Sequence, residues 1–342
     1  SPYYRRHWGK DHLMVVSYFK AEGWMTNNRR WRSLARNITI ATHSLGYLKL
    51  PPSTCHVTVG HQTGSLHDVD SVSPPPPSRT LFFLGHTFGH EYYKLRRIAL
   101  DSLGNVGQNN FIAASDCENG KHYPMCRLSE QAVTRCCLAK KLPFDEYLTL
   151  LAKANFSLNI HGGDAGSSRT FDAIMVGVPQ LILSDSFFSE YAPFQCVVPW
   201  RRFTHAVRGR DFQRDPVGAT MKALTQALPR RNAMLAQQDH HKRDLLWLLH
   251  DSVAANNLMV QVVKQCFNRS WTPSRAAAKD FRKARDAKCV NIAEPTPNIA
   301  EPTSKTGEPT SNTTAYNPNT AELTLTPKAT GPTLNAFSPT KT

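Results

Sequence analysis

A chain of 342 residues, 40% hydrophobic and 20% charged, has the make-up of a soluble globular protein and is longer than one minimal core requires. Its longest strongly apolar stretch, 173–183, is too short to cross a bilayer and contains Gly177 and Pro179, which excludes that stretch as a membrane span. The net charge of +15 favours anionic partners and equally fits a solvated basic surface. The basic run 269–288 comes with no zinc-knuckle or RNA-binding pattern, so no nucleic-acid partner is expected.

Taken in chain order, residues 1–73 form a first block. Residues 14–19 are apolar and β-rich and predict a buried strand, and 37–42 alternate like a second. The Pro-rich segment 74–78 reads as a semi-rigid linker and the best domain boundary. An α/β rhythm follows. Residues 80–84 predict a strand ending at Gly85, 91–103 a basic helix, 144–154 an amphipathic helix and 155–160 a strand. After a glycine-rich loop come a helix over 168–176 and a strand over 179–184. Two long helices over 217–228 and 231–249 close the block. Strands alternating with helices predict a parallel, doubly wound sheet. The basic segment 269–290 extends this block, and the Thr/Pro-rich repeats of 291–342 predict disorder.

The eight cysteines contain no CxxC pair, so no metal site is expected; they permit disulfides in an oxidising lumen. Glycosylation sequons begin at Asn37, Asn155, Asn268 and Asn312. Asn155 falls in a predicted strand and is not expected to carry glycan.

The chemistry concentrates after residue 160. His161-Gly-Gly-Asp-Ala-Gly166 lets a backbone approach a ligand closely. Ser167 and Ser168 cap the next helix, whose N-terminal amides favour an anion such as a diphosphate. Arg169 opposes the helix dipole in the first turn, a placement that an anion faced by both would explain. Asp172 lies one turn on, on the side of Ser168, and could accept ribose hydroxyls. These residues alone fit a capped αβ connection as well as an anion site.

The segment 147–185 resembles the donor-binding core of the exostosin-like glycosyltransferases (glycosyltransferase family 47), which reads Pro-x-Gly-Asp, Ser-x-Arg, Phe-Asp/Glu-Ala, Gly-Cys-x-Pro-Val and Ser-Asp. Further pieces agree in order. Gly9-Lys-Asp-His12 is similar to the family's Gly-Arg-Asp-His, and Arg79-Thr-Leu-Phe-Phe-Leu-Gly85 followed by Arg96 or Arg97 is similar to its first strand and loop. The resemblance spans about residues 1–250. Departures include His161-Gly162 for the family's Pro before Gly-Asp, Val178 for its Cys and Gln180 for its Val.

This resemblance implies a GT-B architecture: a Rossmann-like C-terminal domain over 79–268, and a truncated Rossmann-like acceptor-side domain over 1–73. It implies inverting transfer from a nucleotide-sugar donor, a UDP-sugar, to a glycan or glycoprotein acceptor, with no metal and no other cofactor. Ser167, Ser168 and Arg169 would hold the diphosphate, Asp172 the ribose, and Gly85 with Arg96 or Arg97 the phosphate approach. Asp11 and His12 are the candidates for the base, ahead of His61, His86 and His161, which as isolated loop histidines are expected to face solvent. It further implies a membrane anchor upstream of this chain and a lumenal Golgi location. A non-catalytic nucleotide- or glycan-binding relative is the second reading, and a basic nucleic-acid-binding protein the third.

Overall fold

The computed structural model describes residues 12–16, 28–43, 54–61, 77–87, 90–105, 109–115, 123–128, 133–138, 140–163, 166–195 and 197–267. Asp11, most of the Pro-rich segment, Asp164 and the repeat tail lie outside the described residues. By contacts, residues Ser1–Ala293 form one unit and Glu294–Thr342 a second.

The first unit is α/β with two parallel sheets. In the smaller, β1 (Leu13–Val16) follows the predicted strand. Helix α1 (Arg29–Ala35) leads to β2 (Thr39–Thr42) and β3 (His56–Thr58). The order is β1-β2-β3, all parallel. The larger sheet contains β4 (Arg79–Gly85), β5 (Phe111–Ala114), β6 (Val133–Cys137), β7 (Ala154–Ile160), β8 (Gln180–Leu183) and β9 (Thr204–Val207). Its order is β6-β5-β4-β7-β8-β9, again parallel throughout. The chain builds outward from β4 in one direction, then returns to β7 and builds outward in the other. That reversal makes the gap between β4 and β7 the topological switch point, where such sheets open a crevice at their C-terminal edge.

Helices cover both faces of this sheet, as parallel strands require. They are drawn from α2 (Lys94–Ser102), α3 (Phe144–Ala152), α4 (Ser168–Met175), α5 (Trp200–Phe203), α6 (Gly209–Arg214), α7 (Pro216–Ala227), α8 (Arg231–His240) and α9 (Lys242–Leu245), while α10 (Ala254–Val262) packs against β3 of the smaller sheet. Leu81, Phe83, Leu100, Phe156 and Leu224 pack together in one buried cluster. In another, Phe171, Ile174 and Trp200 share a core with Ala41, Val57 and Val59 of the smaller sheet. The two sheets are therefore joined through apolar contact, and the Cys55–Cys266 disulfide ties the smaller sheet to the segment that follows α10. Cys126–Cys136 forms another bridge, and no cysteine among the described residues is free.

The helix predicted over 231–249 is broken. It ends at His240, resumes as the single turn α9, and gives way to extended backbone at Leu246. His241 Nδ1 meets Asp244 Oδ2 at 2.7 Å, and Asn257 Nδ2 donates to Asp244 Oδ1 at 3.1 Å. The bend turns Leu245 and Leu246 into the core that α10 completes. No helix among the described residues is long and apolar enough to cross a membrane.

Candidate functional site

Helix α4 begins at the C-terminal end of β7, beside the switch point. Ser167 is its N-cap, with extended backbone, and its Oγ accepts from Arg169 N at 3.3 Å. Thr170, Phe171, Ala173, Ile174 and Met175 are buried. Burying the Phe, Ile and Met side chains supplies about 1.5–3 kcal/mol each. That exceeds the roughly 0.3–1 kcal/mol that a cation costs in a first helical turn, so packing fixes the helix and leaves its N-terminus open to chemical choice. Gln180 and Asn159 anchor that same turn from the sheet. Gln180 Nε2 donates to Thr170 O at 3.0 Å, and Asn159 Nδ2 donates to Thr170 Oγ1. Gln180 thus has a buried partner here, which accounts for a polar residue on a fully buried strand.

Arg169 crosses the switch point. Its Nε donates to Leu84 O at the end of β4, and its Nη1 donates to Ser167 Oγ at 3.4 Å. Gly85 lies beneath the guanidinium: a Cβ there would stand 3.3 Å from Arg169 Nη2 and 2.8 Å from Phe83 Cζ. Gly85, Ser167 and Arg169 are therefore brought together, and Ser168 opens the helix as an exposed residue.

Arg96 joins them from below. It is buried on α2, with Nη1 donating to His86 O at 3.0 Å and Nε and Nη2 donating to Ile160 O at 3.3 and 3.2 Å. It clamps the ends of β4 and β7 and supports the glycine loop, with its positive charge held within the site. Arg97 instead turns outward to Glu91 at 3.4 Å. A Cβ on Gly162 would sit 2.4 Å from Arg96 Nη2. Gly162→Ala is therefore expected to destabilise the fold by about 1–3 kcal/mol. In an Arg96→Ala background the same change should cost little. A double-mutant cycle by chemical denaturation measures this, and additive costs would show that the two residues do not meet.

Asp172 is 4% exposed. Tyr147 OH donates to its Oδ2 at 3.3 Å, while Oδ1 has no hydrogen-bond partner among the described residues. Burial pushes its pKa up to about 7, against the opposing pull of Arg169 and the Tyr147 hydrogen bond. Burial and the Asp172 charge hold the Tyr147 phenol well above its usual range. An unpartnered buried carboxyl oxygen is costly, and a ligand hydroxyl would relieve it.

The histidines divide differently from expectation. His12 precedes β1, whose Leu13 pairs with Thr39, so it sits at the N-terminal edge of the smaller sheet. The edge facing α4 is the other one, about 16 Å further along the strands at ~3.3 Å per residue. There His43 follows β2 and His61 follows β3, their rings 3.9 Å apart. His61 also lies 6.1 Å from the Phe171 ring, and a Cβ on Gly166 would stand 3.6 Å from its Nε2 and 3.4 Å from His43 O. The expectation that His61 faces solvent is corrected: it is packed between the sheets against the glycine loop. Burial, followed by the charge of His43, lowers its pKa to about 3. His161 follows β7 with its pKa also lowered, first by burial and then by Arg96. No group of side chains suited to a metal occurs among the described residues.

No protein-family profile matches the sequence, and no curated protein matches it. Solved structures align with it loosely. An alpha-glucosyltransferase in complex with UDP-glucose and DNA containing an abasic site matches at TM-score 0.45 and 10% identity, over 73% of this chain and 70% of that one. Sucrose-phosphate synthase from Thermosynechococcus elongatus matches at 0.42 and 10%, over 76% and 75%. MurG of Acinetobacter baumannii matches at 0.37 and 10%, over 76% and 75%.

Proposed function

We propose that the chain is a glycosyltransferase of GT-B type that takes a UDP-sugar as donor and a glycan or glycoprotein as acceptor, with inversion and without a metal. The observation that carries this reading is Arg169, set at the N-terminus of α4 and reaching Leu84 O over Gly85. It puts a fixed cation, helix amides and a side-chain-free glycine at one switch point. Such a constellation suits a diphosphate and would stabilise it as a leaving group. Ser167 and Ser168 contribute the capping hydroxyls, and Asp172 Oδ1 offers an acceptor to ribose. Arg96 shapes the loop that the diphosphate would approach. The disulfides fit an oxidising compartment, in keeping with a lumenal Golgi location.

The test is a panel of UDP-sugars incubated with the protein and glycan acceptors, with UDP release measured alongside UDP binding. Release with at least one donor supports the proposal. Binding without release from any donor would favour a non-catalytic relative, and absence of nucleotide binding would remove the site assignment.

A further inference from the structure

Inverting transfer needs a group that takes the acceptor's proton from the side opposite the leaving diphosphate. Leaving-group binding is assigned above to the larger sheet; the base has no place in that set, and His12 stands at the far edge of the smaller one. Four observations single out a different residue. His61 comes off the C-terminal end of β3, the strand edge that meets the glycine loop. Its Nε2 is buried and has no hydrogen-bond partner among the described residues. That nitrogen borders the glycine loop, where a Cβ on Gly166 would stand 3.6 Å from it, in ordinary van der Waals contact. Its ring is held by His43 on one side and approached by Phe171 on another, so its orientation is set by packing from β2, β3 and α4 together.

We propose that His61 is the catalytic base, acting through Nε2 on the acceptor hydroxyl, with His43 as the residue that positions its ring. This rests on the glycosyltransferase reading above. In the step, the acceptor O–H bond breaks and its proton passes to His61 Nε2. The oxygen forms a bond to the anomeric carbon as the bond from that carbon to the diphosphate oxygen breaks. The electron pair leaves with UDP, whose charge is met by Arg169 and the α4 N-terminus. The products are the glycoside, UDP and a His61 imidazolium, which returns its proton to water. Burial keeps the imidazole neutral in the resting protein, so its lone pair is available at neutral pH. The negative charge developing on the diphosphate raises its proton affinity as transfer proceeds.

The experiment compares the wild type with His61→Ala and His61→Gln, the second retaining bulk and a hydrogen-bonding end. UDP affinity is measured by calorimetry. Turnover is measured as UDP release from UDP-glucose, UDP-galactose and UDP-N-acetylglucosamine with methyl glycosides as acceptors. Thermal melts confirm folding. The expected result is UDP affinity within about threefold of wild type and kcat lower by roughly 10²–10⁴-fold in both variants. Wild-type kcat in folded His61→Gln overturns the proposal and leaves the enzyme reading intact. A loss of UDP affinity that matches the loss of turnover also overturns it, by making His61 a donor contact. Wild-type protein that binds UDP and turns over no donor removes the enzyme reading, and the base with it.

Discussion

Arg169→Ala is expected to lower kcat/KM for the preferred UDP-sugar by roughly 10²–10³-fold, the usual loss when one preorganised charge stabiliser is removed. The side chain has two roles that alanine ends together. It presents its charge where the diphosphate would depart, and it ties the first turn of α4 to β4 through Leu84 O. Arg169→Lys should recover only part of the loss, because an ammonium lacks the planar fork needed to hold the carbonyl and Ser167 at once. Arg97→Ala serves as the comparison. That residue carries the same charge on the same sheet edge, but its pair with Glu91 is largely exposed and such pairs contribute little, so turnover should stay within about twofold. Steady-state kinetics on the three variants decides the matter; Arg169→Ala with wild-type kcat/KM would remove the diphosphate assignment.

Asp172→Asn is expected to weaken UDP binding and to flatten the dependence of stability on pH. A hydrogen bond to a charged group is worth about 1.5–3 kcal/mol, so the UDP dissociation constant should rise roughly 10- to 100-fold. The stability effect follows from a folded pKa of about 7 against an ordinary 3.8. A raised pKa means that the folded chain holds a proton which the unfolded chain releases. The stabilisation is therefore full below about pH 4 and is lost as pH rises to about 7. Between about pH 5 and pH 8 the wild type should lose on the order of 2–3 kcal/mol from this group, or roughly 5–10 °C in Tm for a unit of this size. Asn carries no proton to lose, so that part of the slope should vanish. Melts of both proteins across this range test it, and parallel curves would show that Asp172 ionises freely in the folded protein.

The grouping of residues at the start of α4 was largely legible because it is local in sequence. Ser167, Arg169 and Asp172 lie within two turns of one helix behind a run of glycines, so capping, helical spacing and backbone freedom bring them together with few long-range contacts. Gly85 became legible through the strand that ends on it. The other wall was not legible in this way. His43 follows β2, which alternation indicated, but His61 follows the three-residue β3, too short for alternation to reveal, and only sheet pairing sets the two side by side. Short strands also hid β5, β6 and β9. β5 is buried at every position, and β6 is interrupted by a bulge, with Arg135 at a positive φ of 52°. The break after His240 escaped notice because its cause, Asp244 turning back to His241 and outward to Asn257, lies in contacts that helical periodicity does not encode.

The bond from Cys55 to Cys266 spans 211 positions of sequence. It joins the residue before β3 to the turn after α10, and the neighbouring Gln265 also donates to His56 O. A protease that cuts any loop between these two cysteines produces fragments, yet the smaller sheet and the carboxyl-terminal helix stay attached through sulfur. Nicked protein would migrate as one species without reductant and separate only when the thiols are freed.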